Sequence, residues 1–278
     1  RIRSCNTTYA RFGGADSGNE MKSFVILALL VLSARFSGSL AGATLEAPVL
    51  DLVRSLGTPA LVQSTDDGHE WRWFDAHGID VDVLTDDQLV VRQVLVARPE
   101  AIQGKAQALV QPAELPLLEM PVASAEKALL AAGAQHQAEP DKAISAWRID
   151  DNYVVLELQR GEVARILALD ATAAQRFGYA GASTLLTAHR APRLVHQAAI
   201  DYPHRAIANQ AEGVVIVAVD VAASGAVKSA RVLLSSGNSD IDDAEVQSMR
   251  RSTFRPARCA GEPCAGLFLD REEYALVH

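Results

Sequence analysis

The chain has 278 residues, 49% of them hydrophobic and 22% charged, and its 26 basic and 34 acidic side chains give a net charge of −8. That balance argues against nucleic acid as a partner, because a phosphate-binding surface needs an excess of Lys and Arg. With 11 prolines and no low-complexity tract, the sequence reads as ordered, with room for two cores at about 100–150 residues per domain.

Met21-Lys22, the apolar run Phe24 to Leu32 and the small residues of Ser39-Leu40-Ala41-Gly42-Ala43 have the three parts of a secretory signal peptide, placed at 21–43. The mature protein then begins near Gly42 or Thr44. Residues 1–20 read as upstream sequence translated from a misplaced start. An uncleaved anchor is the alternative, but the apolar run ends before Arg35 and a bilayer crossing needs about 20 apolar residues, so no stable membrane anchor is expected. Without residues 1–43 the chain has 21 basic and 32 acidic side chains, a net charge of −11. Cys5 leaves with the leader, and Cys259 and Cys264 remain. An even count suits an oxidising compartment and a disulfide, with two buried thiols as the alternative.

Residues 44–175 have a weak internal repeat. Leu52 to Leu56 followed by Gly57, then Trp73, Ile79 to Leu84 and Leu89 to Val96 recur as Ala125 to Leu130 followed by Gly133, then Trp147, Tyr153 to Leu158 and Val163 to Leu169. In both copies the tryptophan precedes the start of the last run by 16 residues. Each copy reads as a short helix followed by a small antiparallel meander. The pattern is similar to the helix-plus-sheet repeats of β-lactamase-inhibitor-protein and SmpA-like envelope proteins. Gln111 to Pro116 joins the copies, and residues 176–190 link them to the C-terminal segment, residues 191–278. Trp71 and Trp73 share one strand face, which suits core packing, with an exposed aromatic binding surface as the alternative. Asp66-Asp67 and Asp86-Asp87 read as acidic turns.

Nothing in the chain carries recognisable catalytic or metal chemistry. His69-Glu70 lacks the second histidine of a zinc-protease helix, and no serine lies in a Gly-x-Ser-x-Gly turn. No enzyme activity, metal or cofactor is expected.

The last segment is the most specific. From Val214 to Val221 side chains alternate at the strand period, with Val215, Val217, Val219 and Val221 on one face. This predicts a half-buried strand. Ala222 to Gly225 turns the chain, and Ala226 to Leu234 returns as the second strand of a hairpin. Ser235-Ser236-Gly237-Asn238 ends it. Ser239 or Asp240 then caps a helix over Ile241 to Arg251, with acidic residues in its first turn and Arg250 and Arg251 in its last. Asp242-Asp243 is explained by the helix dipole. Leu267 to Leu269 supplies a third strand, and Pro203 starts a helical turn.

The series Tyr202-Pro203, Gly213, Gly225, Ser236-Gly237, Phe254 and Pro256 resembles the C-terminal domain of TonB, the periplasmic energy transducer of Gram-negative bacteria, over residues 191–278. The overall expectation is an α+β protein in which two helix-plus-antiparallel-sheet repeats precede a TonB-like β-β-α-β module. The resemblance implies a periplasmic location and a protein-contact role. The partner it implies is a periplasmic or outer-membrane protein, with a TonB-dependent transporter as the family's own example. In that family an extended transporter peptide adds to a sheet edge. The corresponding strand here is Ala265, Gly266, Leu267, Phe268, Leu269 and Asp270, unless Tyr274 to Val277 folds back and closes it. Three departures weigh against direct energy transduction. The chain lacks a proline-rich spacer, has Ala199 where the family often has glutamine, and has Ser252 or Thr253 where it has an aromatic residue. A secreted inhibitor or envelope-assembly factor acting through residues 44–175 is the alternative reading.

Overall fold

A computed structural model describes residues 39–40, 42–76, 78–97, 117–137, 143–176, 179, 189–200 and 202–276. The expected upstream segment, most of the expected signal peptide and the joint at Gln111 to Pro116 lie outside the described residues. Among the described residues no helix is long and apolar enough to cross a membrane.

A short hairpin of β1 (Ser39–Leu40) and β2 (Ala43–Thr44) leads into α1 (Val49–Leu56). Leu40 and Ala43, which flank the expected cleavage point, are both buried. Val49, Leu52 and Val53 recur at helical spacing and form the buried stripe of α1, and Gly57 ends it with φ +82° and its N–H on the Val53 carbonyl. Four strands come next: β3 (Leu61–Thr65), β4 (Gly68–Ala76), β5 (Ile79–Thr85) and β6 (Val91–Ala97). The second half runs α2 (Val122–Ala131), β7 (Gln135–His136), β8 (Ile144–Ile149), β9 (Asn152–Gln159) and β10 (Glu162–Leu169). All eight strands form one antiparallel sheet in the order β3-β4-β5-β6-β10-β9-β8-β7. The two meanders meet along β6 and β10, with Leu95 opposite Leu167.

Trp71, Trp73 and Trp147 are buried in the core beneath α1 and α2, so the exposed aromatic surface weighed above does not form. Each indole N–H finds an acceptor inside the protein, on Thr85 Oγ1, the Gly57 carbonyl and Ser145 Oγ respectively. The opposite face of β8, β9 and β10 is covered by α3 (Ala171–Arg176), whose Ala173 and Ala174 pack on Val155, Leu167 and Leu169. Asp170 anchors this helix by accepting from the Ala173 N–H, and ties it to β6 through Arg92.

The last third contains β11 (His189–Arg190), β12 (Arg193–His196), α4 (His204–Ala208), β13 (Gly213–Val221), β14 (Val227–Leu234) and α5 (Ser239–Arg251). It ends with β15 (Thr253–Arg255), β16 (Ala257–Cys259), β17 (Glu262–Cys264) and β18 (Gly266–Tyr274). The central sheet has the order β14-β13-β18, while β12 pairs with β15 and β11 joins the β16–β17 hairpin.

Several sequence expectations need correction. The strand predicted as half-buried is buried on both faces. Val215, Val217, Val219 and Val221 pack with Ile241 and Met249 of α5, whereas Ile216 and Ala218 join the core of the N-terminal half. The cap of α5 is Asn238, one residue before the expected candidates, with its side chain accepting from the Asp240 and Ile241 N–H groups. Pro203 is the residue before the α4 helix rather than its first member. β18 runs unbroken through Glu272-Glu273 to Tyr274, and among the described residues no return strand closes its edge. Strands β11, β12 and β15 had no counterpart in the sequence reading.

Candidate functional site

The motif residues cluster at the two ends of the central sheet, and each has a structural task. At one end, Gly213 starts β13 against the loop before α5, where a Cβ would stand 2.3 Å from the Ser236 carbonyl oxygen. Ser236 donates through both N–H and Oγ to Asp242 Oδ1, at 2.8 and 2.7 Å, and Gly237 takes φ +88° beside it. Asp242 therefore holds this loop as well as complementing the helix dipole. Tyr202 stacks edge-on against Tyr274 with ring centres 5.2 Å apart, and its hydroxyl donates to the Ala211 carbonyl. At the other end, Gly225 turns β13 into β14 with φ +86°, and a Cβ there would lie 2.5 Å from the Phe254 carbonyl oxygen. The Phe254 ring meets Phe268 edge-on at 5.2 Å, and Pro256 separates β15 from β16.

Within the central sheet β18 is a terminal strand, as an acceptor of an extended peptide must be. Its in-plane hydrogen bonds alternate: Phe268 and Asp270 face β13, while the N–H groups of Leu267 and Leu269 point away from it. The Leu269 N–H donates to Ser64 Oγ at 2.9 Å. The Leu267 main chain lies beside Asp87, near enough to help lower the pKa of its carboxyl. Between Ser64 and Asp87 stands buried His69, with Nδ1 3.0 Å from Ser64 Oγ and Nε2 3.1 Å from Asp87 Oδ1. Because Ser64 Oγ accepts from Leu269, its own hydrogen is available to His69 Nδ1, which leaves Nε2–H for the Asp87 carboxylate. Burial pushes the Asp87 carboxyl up, but His69, nearby His189 and the Leu267 main chain outweigh it and hold the group below its ordinary value. Asp87 is thus more than an acidic turn residue.

The contact extends along the strand. Arg271 Nε donates to the Pro59 carbonyl at 3.0 Å, and β3 lies beside β18. Leu267 and Leu269 pack into the same core as Trp71. At the β3–β4 turn, Asp66 accepts from the Ala191 N–H, and its carbonyl accepts from Arg176. A Ser-His-Asp series on a protein surface would invite a nucleophilic reading. Here the hydroxyl is occupied by a main-chain donor and lies against a neighbouring strand, an arrangement that caps a strand edge.

Residues 198–268 match the family model of the Gram-negative bacterial TonB protein C-terminal. This segment is a TonB C-terminal domain. Among solved structures, the TonB C-terminal domain of Pseudomonas aeruginosa aligns at 26% identity over 31% of this chain and 88% of its own, with a TM-score of 0.26. A cysteine-rich secretory protein from Staphylococcus aureus aligns at 11% identity over 51% of this chain and 49% of its own, with a TM-score of 0.36. No curated protein matches.

The TonB domain also contains the cysteine pair. Cys259 and Cys264 form a disulfide with Cα atoms 5.8 Å apart. They do not face each other directly, since Cys259 is opposite Glu262 and Cys264 is opposite Ala257. The bridge runs diagonally across the hairpin.

Sequence reasoning missed three features of this domain. The edge contact joins residues 64, 69 and 87 to 267 and 269, and no local pattern signals it. The second is a buried carboxyl pair beneath α5: Glu245 on the helix and Asp270 on β18, with the Tyr274 hydroxyl donating to Glu245 Oε2 at 2.9 Å. The one signal in the sequence was an acidic residue on the inward stripe of α5, at helical spacing from Ile241 and Met249. The third is Ser252, one of the two residues read from sequence as a departure from the family pattern. It is buried, its Oγ accepts from the Ala198 N–H and donates to the Ser248 carbonyl, and it pins the segment before Tyr202 to the end of α5.

Proposed function

We propose that this chain is an exported envelope protein of the periplasm that uses its TonB C-terminal domain to contact another periplasmic or outer-membrane protein. The observation that carries this reading is the match over residues 198–268 together with a sheet that ends on β18. On this reading the segment from Ala265 to Asp270, which enters β18 at Gly266, receives an extended peptide, and the partner class is a TonB-dependent transporter. Strand addition suits the geometry because the outward N–H groups of Leu267 and Leu269 have the two-residue spacing of a ladder. The remaining motif residues, Tyr202, Pro203, Gly213, Gly225, Ser236, Gly237, Phe254 and Pro256, shape the sheet and do not touch the partner.

Isotope-labelled mature chain titrated with a synthetic peptide copying the N-terminal segment of a TonB-dependent transporter tests the reading. Shifts concentrated in the amides of residues 265–271 are expected. Shifts confined to other strands would refute the role of β18.

A further inference from the structure

Two terminal strands face each other in this protein, β3 at the end of the eight-stranded sheet and β18 at the end of the three-stranded one. They do not form a main-chain ladder. Instead, Ser64 of the N-terminal half accepts from the Leu269 N–H of one extended strand, and Asp87 lies beside the Leu267 main chain two residues earlier. His69 is hydrogen-bonded to both side chains and buried, so it fixes their separation. Arg271 extends the contact to Pro59, and the leucine side chains enter the N-terminal core.

We propose that the N-terminal half is a latch on the strand-receiving edge of the TonB domain: Ser64 and Asp87 occupy the N–H groups that an incoming strand needs, and the edge becomes available only when the β3–β18 contact opens. The proposal rests on the reading of β18 as the receiving strand. An edge left bare would pair with any extended segment, including another copy of the chain. Side-chain caps remove that hazard at a lower cost of release than a full ladder, because two acceptors are displaced rather than a row of main-chain bonds.

The latch is tested by residue-resolved amide hydrogen exchange on the full mature chain, independently of any partner. In the wild type, Leu267 and Leu269 are expected to exchange as slowly as Phe268 and Asp270, whose amides face β13. Ser64→Ala should speed Leu269 at least tenfold and leave Leu267 unchanged, whereas Asp87→Ala should do the reverse. This site-by-site correspondence separates loss of a cap from general unfolding, which would speed all four amides; Ser64→Thr, which keeps the hydroxyl, covers the case in which the alanine variant unfolds and should restore Leu269 protection. Fast exchange of Leu267 and Leu269 in the wild type overturns the latch, as does unchanged exchange of both in folded variants. The transporter peptide is then titrated into the Ser64→Ala/Asp87→Ala chain. Affinity at least tenfold above wild type supports gating, and equal, measurable affinity overturns it. Absence of binding to either form while the exchange pattern holds counts against the receiving-strand reading and leaves the closed edge established.

Discussion

Replacing Glu245 with glutamine should flatten part of the pH dependence of stability. Glu245 is 0% exposed, and its pKa is raised from the ordinary 4.5 to about 7. Burial is the main cause, opposed by the hydrogen bond from Tyr274 and reinforced by the charges of Asp270 and Glu272. Asp270 is itself raised by burial, with Glu245 opposing. Glu245 Oε1 and Asp270 Oδ2 are both buried without a conventional donor. One proton held between the two carboxyls satisfies both oxygens, as in other coupled carboxyl pairs. A carboxyl raised on folding binds its proton more tightly in the folded state, so stability is greatest below the unfolded value, falls as pH rises from 4.5 to about 7, and is flat above that. Linkage over that interval gives a loss on the order of 2–3 kcal/mol between pH 5 and pH 8. Asp82, raised to about 6 chiefly by burial and against the pull of Arg72, adds a slope of the same sign. The difference between wild type and Glu245→Gln isolates the Glu245 share. Urea midpoints should be followed on β13 amide signals, because Trp71, Trp73 and Trp147 all report the other half of the chain. The variant should gain on the order of 2–3 kcal/mol on wild type in going from pH 5 to pH 8. A gap between the two proteins that is the same at both pH values would refute the shared-proton account.

Other perturbations have defined outcomes. Gly225→Ala places a Cβ 2.5 Å from the Phe254 carbonyl at φ +86° and should cost about 1–3 kcal/mol by urea denaturation. Asn238→Ala removes the acceptor for two α5 N–H groups and should cost about 1 kcal/mol, visible as faster exchange in the first turn of α5. Cys259→Ser/Cys264→Ser opens the bridged hairpin and should cost about 2 kcal/mol for a loop this short, while mass spectrometry of the wild type should find no free thiol at either position. Leu269→Ala empties a buried site shared with the N-terminal core and should cost about 2–5 kcal/mol.

Local pattern revealed the elements, and long-range contact decided how they are used. Alternation from Val214 to Val221 located β13 and its helix-facing valines. It did not show that Ile216 and Ala218 would be covered too, because they join a core built mainly from the N-terminal half of the chain. The Tyr-Pro, glycine and Phe-x-Pro signals were legible because each marks a backbone constraint at a fixed spacing, such as the approach of Gly213 to Ser236. Short strands such as β12 and β15 have too few residues to show a period. The side chains on the β18 edge were read as turn residues or ignored, since an Asp in a β-turn and an Asp beside a distant strand look alike in sequence. The pairing of Cys259 with Cys264 was legible from proximity, but its diagonal register depended on the two-residue turn at Ala260-Gly261.

The separation between partners along the chain also sets an order of assembly. Each meander closes by hairpins between neighbours, so both halves of the large sheet form from local contacts. The seam between β6 and β10 requires segments some seventy residues apart to meet. The bonds from Leu269 to Ser64 and from Arg271 to Pro59 span 205 and 212 positions, and they close onto a surface that must already be folded. On loop-closure cost, β18 is expected to dock late on the N-terminal half, and a chain truncated before β18 would leave β3 as the unprotected edge.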